Sequence, residues 1–323
     1  VAQLKYHRVN HGIGTYTMTI RGISFLVTAL LIFAVQDSVV KHLTEQYQVL
    51  QILTLRSIIV VFIMACIAYL RLGSTFYKTN QSGLMMLRGC FAFAAFTNYY
   101  FALSFLPLGD AATVYMTAPL FVTALSVPLL GEQVGMRRWM AVVIGFTAVV
   151  FMLNPGSDLF RPIALLPLAS ALFYSFIPIL TRKINANEHT PTITFYTTFS
   201  YAVLCLILSS AIHVWPAAPA DSGIWAAIAQ PWNTLNANAW MLITLSSVFF
   251  AAGVLCIAAA YRAAEVSVLA PFEYSYLLWA TMVGYIVFSD VPTLRTWVAG
   301  VIIAGSGIYI AVRERHVDRM NTA

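Results

Sequence analysis

Ten apolar stretches, each about as long as a bilayer is thick, follow one another from Gly22 to Val312 with short polar joints between them. A helix rises about 1.5 Å per residue and the hydrocarbon core is about 30 Å thick, so roughly 20 apolar residues make one crossing. The spans read from the sequence are 22–43, 49–70, 83–106, 109–130, 138–154, 162–182, 191–214, 239–260, 265–288 and 294–312. A soluble globule could not shield from water a chain that is 60% hydrophobic and 9% charged, with a mean hydropathy of +0.80, whereas a bilayer solvates it. The runs lack the period-two alternation of outer-membrane strands. The fold class expected is therefore an all-α polytopic membrane protein with ten transmembrane helices.

The few charges orient those helices, because cytoplasmic loops are enriched in Lys and Arg. With the N-terminus inside, fourteen fall on the cytoplasmic side: Lys5, Arg8, Arg21, Arg71, Lys78, Arg88, Arg137, Arg138, Arg182, Lys183, Arg262, Arg313, Arg315 and Arg319. Only Lys41, Arg161 and Arg295 fall outside, and Arg56 lies within a span. Both termini are expected in the cytoplasm of a bacterial inner-membrane protein, and the net charge of +6 reflects topology, not a nucleic-acid partner. Cys66, Cys90, Cys205 and Cys256 sit inside spans without paired spacing and read as small buried hydrophobes. Residues 1–20 hold basic and polar groups with no separate apolar core and cleavage site, so span one reads as retained.

A shift of 158 residues lays Glu132 on Asp290, Arg137 on Arg295, Trp139 on Trp297, Ala141 on Ala299, Val143 on Val301 and Ile144 on Ile302. The expected organisation is a cytoplasmic segment 1–21, a first repeat 22–154, a second repeat 155–312 with an extracytoplasmic loop 215–238, and a cytoplasmic tail 313–323. Five spans per repeat is an odd number, so the two halves enter the membrane from opposite sides. Inverted repeats occur in many secondary transporters, with the substrate near the midplane and alternating access between the halves.

The residues that carry a family likeness are IFAVQDSVVKHL from Ile32 with Arg56 in the next span, FLPLGDAATVYMTAPLFVTALSVPLLGEQVG from Phe105, and APFEYSYLLWA from Ala270. They resemble EamA-type members of the drug/metabolite transporter superfamily over nearly the whole chain. The VQDSVVKHL and PFEYS segments look most like a branch containing riboflavin and S-adenosylmethionine uptake proteins. The resemblance implies ten helices around a central cavity, lined mainly by spans one, three, four, six, eight and nine, and movement of small organic metabolites.

Ionisable groups at depth are costly, so they face the bundle interior and mark pathways. Asp37 and Arg56 come out about 9 and 10 Å from the outer ends of spans one and two, and Arg88 and Glu273 about 8 and 12 Å from the cytoplasmic ends of spans three and nine. Asp37 with Arg56 is expected at an outer constriction and Glu273 with Arg88 at an inner one, unless the pairs are static clamps. Lys41, four residues after Asp37, could instead serve the same carboxylate. A carboxylate at depth can take up and release a proton during transport, which makes Glu273 the first coupling candidate and Asp37 the second. The cavity is expected to include Asn98, Tyr99, Tyr115, Tyr274, Tyr276 and Trp279, since Tyr and Trp offer a flat apolar face and one polar group to a planar solute. Such residues also form ordinary packing and interfacial belts.

Pro119, Pro178 and Pro271 each remove a backbone donor within a cavity-lining span and read as hinges or as static kinks. The loop 215–238 is the longest, and Ile224 to Ala229 is expected to rest on the membrane surface through its Trp. An ATP-driven pump would need a phosphate-cradling Gly-rich loop, which the chain lacks. An intramembrane enzyme is disfavoured: Gly305, Ser306 and Gly307 superficially resemble a nucleophile turn, but no His lies at matching depth, since His42, His189, His213 and His316 are near span ends or in loops. No metal site or cofactor is expected. The sequence therefore predicts a secondary transporter, a monomer or weak dimer in the lipid bilayer, that moves a small molecule, with protons as a candidate coupling ion. Uptake of a vitamin, amino acid or nucleoside-bearing solute and export of amino acids or drug-like metabolites both stay open.

Overall fold

The computed structural model describes residues 2–132, 134–154, 162–184, 188–214, 231–264 and 266–321, with side chains left undescribed at 2–19, 213–214, 266–267 and 313–321. The described residues form twelve α-helices and no strand. They are α1 (Ala2–Thr44), α2 (Val49–Leu72), α3 (Ser82–Leu103), α4 (Leu108–Tyr115), α5 (Ala118–Leu130), α6 (Met136–Leu153), α7 (Leu165–Lys183), α8 (Thr190–Val214), α9 (Ala237–Ala263), α10 (Val266–Glu273), α11 (Ser275–Phe288) and α12 (Leu294–Asn321). Spans four and nine are each divided in two, as α4–α5 and α10–α11, which gives ten crossings. Eight helical stretches are long and apolar enough to cross a membrane. The other two crossings are α3, which carries Arg88, Asn98, Tyr99 and Tyr100, and span nine with its short halves. The helix of span one extends back to Ala2 and that of span ten on to Asn321, so the segments expected as terminal tails continue their neighbouring helices. Arg161 and most of the loop 215–238, including Ile224 to Ala229, lie outside the described residues.

The helix contacts come in sets that exchange of the two halves interconverts. Helix α1 packs most heavily on α9, and its counterpart α7 packs on α3; α1 also meets α10 and α11, as α7 meets α4 and α5. Helices α2 and α8 pair with each other, and so do α6 and α12. Positions matched by the 158-residue shift share environments: Ala141 and Ala299 are buried, while Val143 and Val301 are 60% and 70% exposed on the outside of the bundle. The face of α9 is built for close approach, because its buried residues are Ala239, Ser246, Ser247, Ala251, Gly253 and Ala260 with only Ile243 larger. Between helices in lipid there is no hydrophobic drive, so such small-residue surfaces let backbones approach for van der Waals contact.

The two span breaks are also related by the repeat. Span four breaks at Met116–Thr117, and the same shift places Met116 on Tyr274, where span nine breaks. Pro119 explains the first break, since it lacks the N–H that would bond to the Tyr115 carbonyl. In span nine Pro271 lies inside α10, three residues before the break, and the position matching Pro119 is Leu277. Helix α7 runs unbroken through Pro178. Of the three expected hinges, only Pro119 abuts a break. Helices α5 and α11 end alike, with Gly131 at φ 72° and Ser289 at φ 57°, and with Glu132 N–H to Ser126 O at 3.4 Å matched by Asp290 N–H to Gly284 O at 3.3 Å. This left-handed cap satisfies the last carbonyls of each helix, which is why the acid that follows sits at the same place in both halves.

Burial differs between the two ends of the bundle. Helix α2 is enclosed on nearly all sides from Val49 to Ser57, then only at Val60, Met64 and Ala68, a single face with fourfold spacing. Helix α3 shows the converse, with Met85, Gly89, Ala92 and Ala95 on one face and Tyr99 to Leu103 consecutively buried. The end holding Lys41 is thus solidly packed, and the end holding Arg88 is not.

Candidate binding cavity

A cavity of about 370 Å³ enters from the Arg88 end and stops at the packed end. Its size is within the roughly 300–1,000 Å³ typical of small-molecule sites. Helices from both halves line it. Leu26, Leu30, Phe33, Gln36 and Asp37 come from α1, Arg56 from α2, Arg88, Phe96, Tyr99 and Tyr100 from α3, and Tyr174, Tyr201, Tyr261, Glu273, Tyr274 and Tyr276 from the later helices. Aromatic rings run along the wall in sequence: Tyr100 to Tyr99 at 5.7 Å between centroids, Tyr99 to Tyr115 at 5.0 Å, Tyr115 to Tyr174 at 5.4 Å and Tyr174 to Phe96 at 6.3 Å. Such a wall presents ring faces and edges suited to a flat solute.

The floor is organised around Asp37. Its Oδ1 accepts from Gln36 Nε2 and from the Tyr100 hydroxyl, both at 2.8 Å, and its Oδ2 accepts from the Tyr276 hydroxyl at 2.5 Å. Gln36 Nε2 also donates to the Tyr100 oxygen at 2.6 Å. The Tyr276 hydrogen is committed to the carboxylate, so the Tyr99 hydroxyl, 2.7 Å away, donates to Tyr276. The chain Tyr99, Tyr276, Asp37 joins α3, α11 and α1, and so joins the two halves of the bundle. Arg56 is buried beside this cluster, its guanidinium 5.2 Å from the Tyr100 ring centroid and 5.1 Å from that of Phe250. Below the floor the packed end is tied by Lys41 Nζ to Asp290 Oδ2 at 2.7 Å, by Thr296 Oγ1 to Asp110 Oδ1 at 2.7 Å, and by Gln51, which both donates to Asn233 O and accepts its N–H.

At the mouth Arg88 donates from Nε to Thr181 Oγ1 at 2.9 Å and from a terminal nitrogen to Thr197 Oγ1 at 2.5 Å. Across the cavity the Tyr261 hydroxyl donates to the Glu273 carboxylate.

Several expectations are corrected. Neither Asp37 with Arg56 nor Glu273 with Arg88 forms an ion pair within 4 Å; among the described residues the pairs are Lys41–Asp290, His42–Glu45 and Arg182–Glu132. Asp37 is already supplied with three donors, and Arg56 settles over two aromatic rings. Arg88 is held by hydroxyls of α7 and α8 instead of crossing to α10. Lys41 reaches Asp290, not Asp37, because a partner from the other half stands at its own level. Asn98 turns back to Ala94 O of its own helix at 2.7 Å and does not line the cavity. Trp279 packs into the core away from it. Tyr99, Tyr115, Glu273, Tyr274 and Tyr276 do line it, as do Asp37, Arg56, Arg88 and Pro119. Gln36, Tyr174, Tyr201 and Tyr261 were not singled out from sequence. Gln36 carried a usable signal, an amide in an apolar span beside an acid; the three tyrosines carried none. Gly307 has a packing role, since a side chain there would meet the Tyr274 hydroxyl.

Residues 20–154 match the EamA-like transporter family. The chain carries an EamA domain. A riboflavin transporter of Vibrio cholerae is 28% identical over 93% of this chain and 96% of its own. An S-adenosylmethionine uptake transporter of Rickettsia bellii is 24% identical over 95% and 98%, and a pseudopaline exporter of Pseudomonas aeruginosa 24% over 87% and 93%. A solved crystal structure shares the fold at a TM-score of 0.54 and 17% identity, covering 94% of this chain and 99% of that one. The apolar helices and these transporter-named relatives together support a multi-pass membrane transporter of small metabolites.

Proposed function

We propose that this EamA transporter takes up a ring-bearing metabolite across the bacterial inner membrane by alternating access between two inverted five-helix repeats, 22–154 and 155–312. Both termini are assigned to the cytoplasm, so the packed Lys41 end faces outward and the cavity opens inward. The observation that carries this reading is a blind, aromatic-walled cavity at the junction of the halves, closed at one end by the Asp37 cluster. The chemistry favours planar solutes, of which riboflavin-like cofactors, aromatic amino acids and nucleoside-bearing molecules are the leading classes. The riboflavin and S-adenosylmethionine relatives support uptake, and the pseudopaline relative keeps export as the second reading.

During the cycle the Arg88 end closes and the Lys41 end opens, with Arg88 and Glu273 approaching at the inner gate and the Asp37 cluster parting at the outer one. The span breaks beside Pro119 and near Pro271 give the halves points at which to bend. Glu273 is the first proton-coupling residue under this reading. Uptake of these solute classes into proteoliposomes, with and without an imposed pH gradient, tests it; no movement of any of them under any gradient refutes it.

A further inference from the structure

We infer that the mouth of the cavity is a binding site for a zwitterionic head group, with Arg88 receiving a carboxylate and Glu273 receiving an ammonium. The inference rests on the inward-open cavity proposed above and narrows its substrate to ring-bearing zwitterions. Both charges line one cavity, and neither has an ionic partner within 4 Å among the described residues. The groups that hold Arg88 supply no negative charge. The Thr181 hydroxyl gives its hydrogen to Ile177 O at 2.7 Å and that of Thr197 to Ile193 O at 2.8 Å, so each only accepts from the guanidinium. Glu273 is likewise held by a neutral group, the Tyr261 hydroxyl.

An isolated charge inside a membrane protein costs free energy that an opposite charge recovers. Two uncompensated charges of opposite sign lining one cavity are therefore complementary to a molecule that is neutral overall but carries both. The hydroxyls fix each side chain in position before the ligand arrives, which lowers the ordering cost of binding. From Tyr174 the aromatic wall leads through Tyr115 and Tyr99 to Tyr100 at the Asp37 floor, so the solute's ring would lie deeper than its head group.

Binding to the purified full-length protein in detergent would be measured with tryptophan, tryptamine and indole-3-propionate, which share an indole ring and differ in which of the two charged groups they carry, together with S-adenosylhomocysteine, 5'-methylthioadenosine and riboflavin. The zwitterionic member of each ring family is expected to bind at least about tenfold more tightly than its partners, the size of effect that loss of a charge-assisted hydrogen bond produces. Arg88→Gln should erase the preference over tryptamine alone and Glu273→Gln the preference over indole-3-propionate alone, while Arg88→Lys keeps both and shows that the site still folds. Equal binding within each family, or preferences that survive both neutral variants, overturns the inference. Riboflavin binding without either zwitterion overturns it and leaves the transport proposal standing. Binding and transport of none of the six overturn both.

Discussion

Replacing Tyr276 with Phe removes one oxygen that serves two bonds. Asp37 Oδ2 loses its donor at 2.5 Å, and the Tyr99 hydroxyl loses its acceptor at 2.7 Å. A hydrogen bond to a charged group contributes about 1.5–3 kcal/mol, whereas a neutral bond between membrane helices averages about 0.6 kcal/mol, because the unfolded reference state in a bilayer also finds partners. Water in the cavity can replace part of the first, so the low end applies and the substitution should cost about 2 kcal/mol. Tyr99→Phe removes only the neutral end of the chain and should cost about 0.6 kcal/mol. The double variant should cost no more than Tyr276→Phe alone, since the Tyr99 hydroxyl then has nothing left to lose. Reversible unfolding in mixed micelles of mild detergent and dodecyl sulfate measures all three. A Tyr99→Phe cost equal to that of Tyr276→Phe, or strict additivity, would show that Asp37 is not the end of this hydrogen-bonded chain.

The two ion pairs should differ in worth. Lys41–Asp290 has side chains 13% and 23% exposed, so Lys41→Met should cost between about 1 and 3 kcal/mol, while Arg182–Glu132 at 51% and 36% exposed should cost less than about 1 on Arg182→Met; equal losses in the same unfolding assay would contradict this. Gly307→Ala puts a methyl where the Tyr274 hydroxyl lies and should destabilise by about 1–3 kcal/mol, partly relieved by Tyr274→Phe; no loss would mean that the ring moves freely. Glu273→Gln should flatten the dependence of uptake on external pH, and an unchanged profile with full transport removes Glu273 as the coupling group. These last measurements use the proteoliposome assay.

Much of the architecture was legible in the chain. Hydropathy is local, so ten spans emerged with ends within a few residues of the helices, except where the first and last helices run on past the apolar stretch to Ala2 and Asn321, and the acid, Arg and Trp repeated at a 158-residue shift pointed to positions with similar burial. The cavity tyrosines of α3 and span nine were legible too, because they stand beside the in-span amide of Asn98 and the in-span acid Glu273. Depth counting placed the charged residues in the cavity but could not pair them. It measures position along one helix axis and says nothing about which face a side chain takes.

Composition and hydropathy act over a few turns of one helix, so the chain alone was enough to specify a membrane bundle, and the 158-residue shift pointed to a repeated half. Tertiary structure alone decided the partners. Lys41 has Asp37 four residues away yet binds Asp290, 249 residues on, and Asp37 takes its donors from Gln36 beside it and from Tyr100 and Tyr276 on other helices. Those choices depend on which helix faces come together at one depth. The same packing left Arg88 and Glu273 each held by hydroxyls, in a cavity where the two charges had been expected to meet.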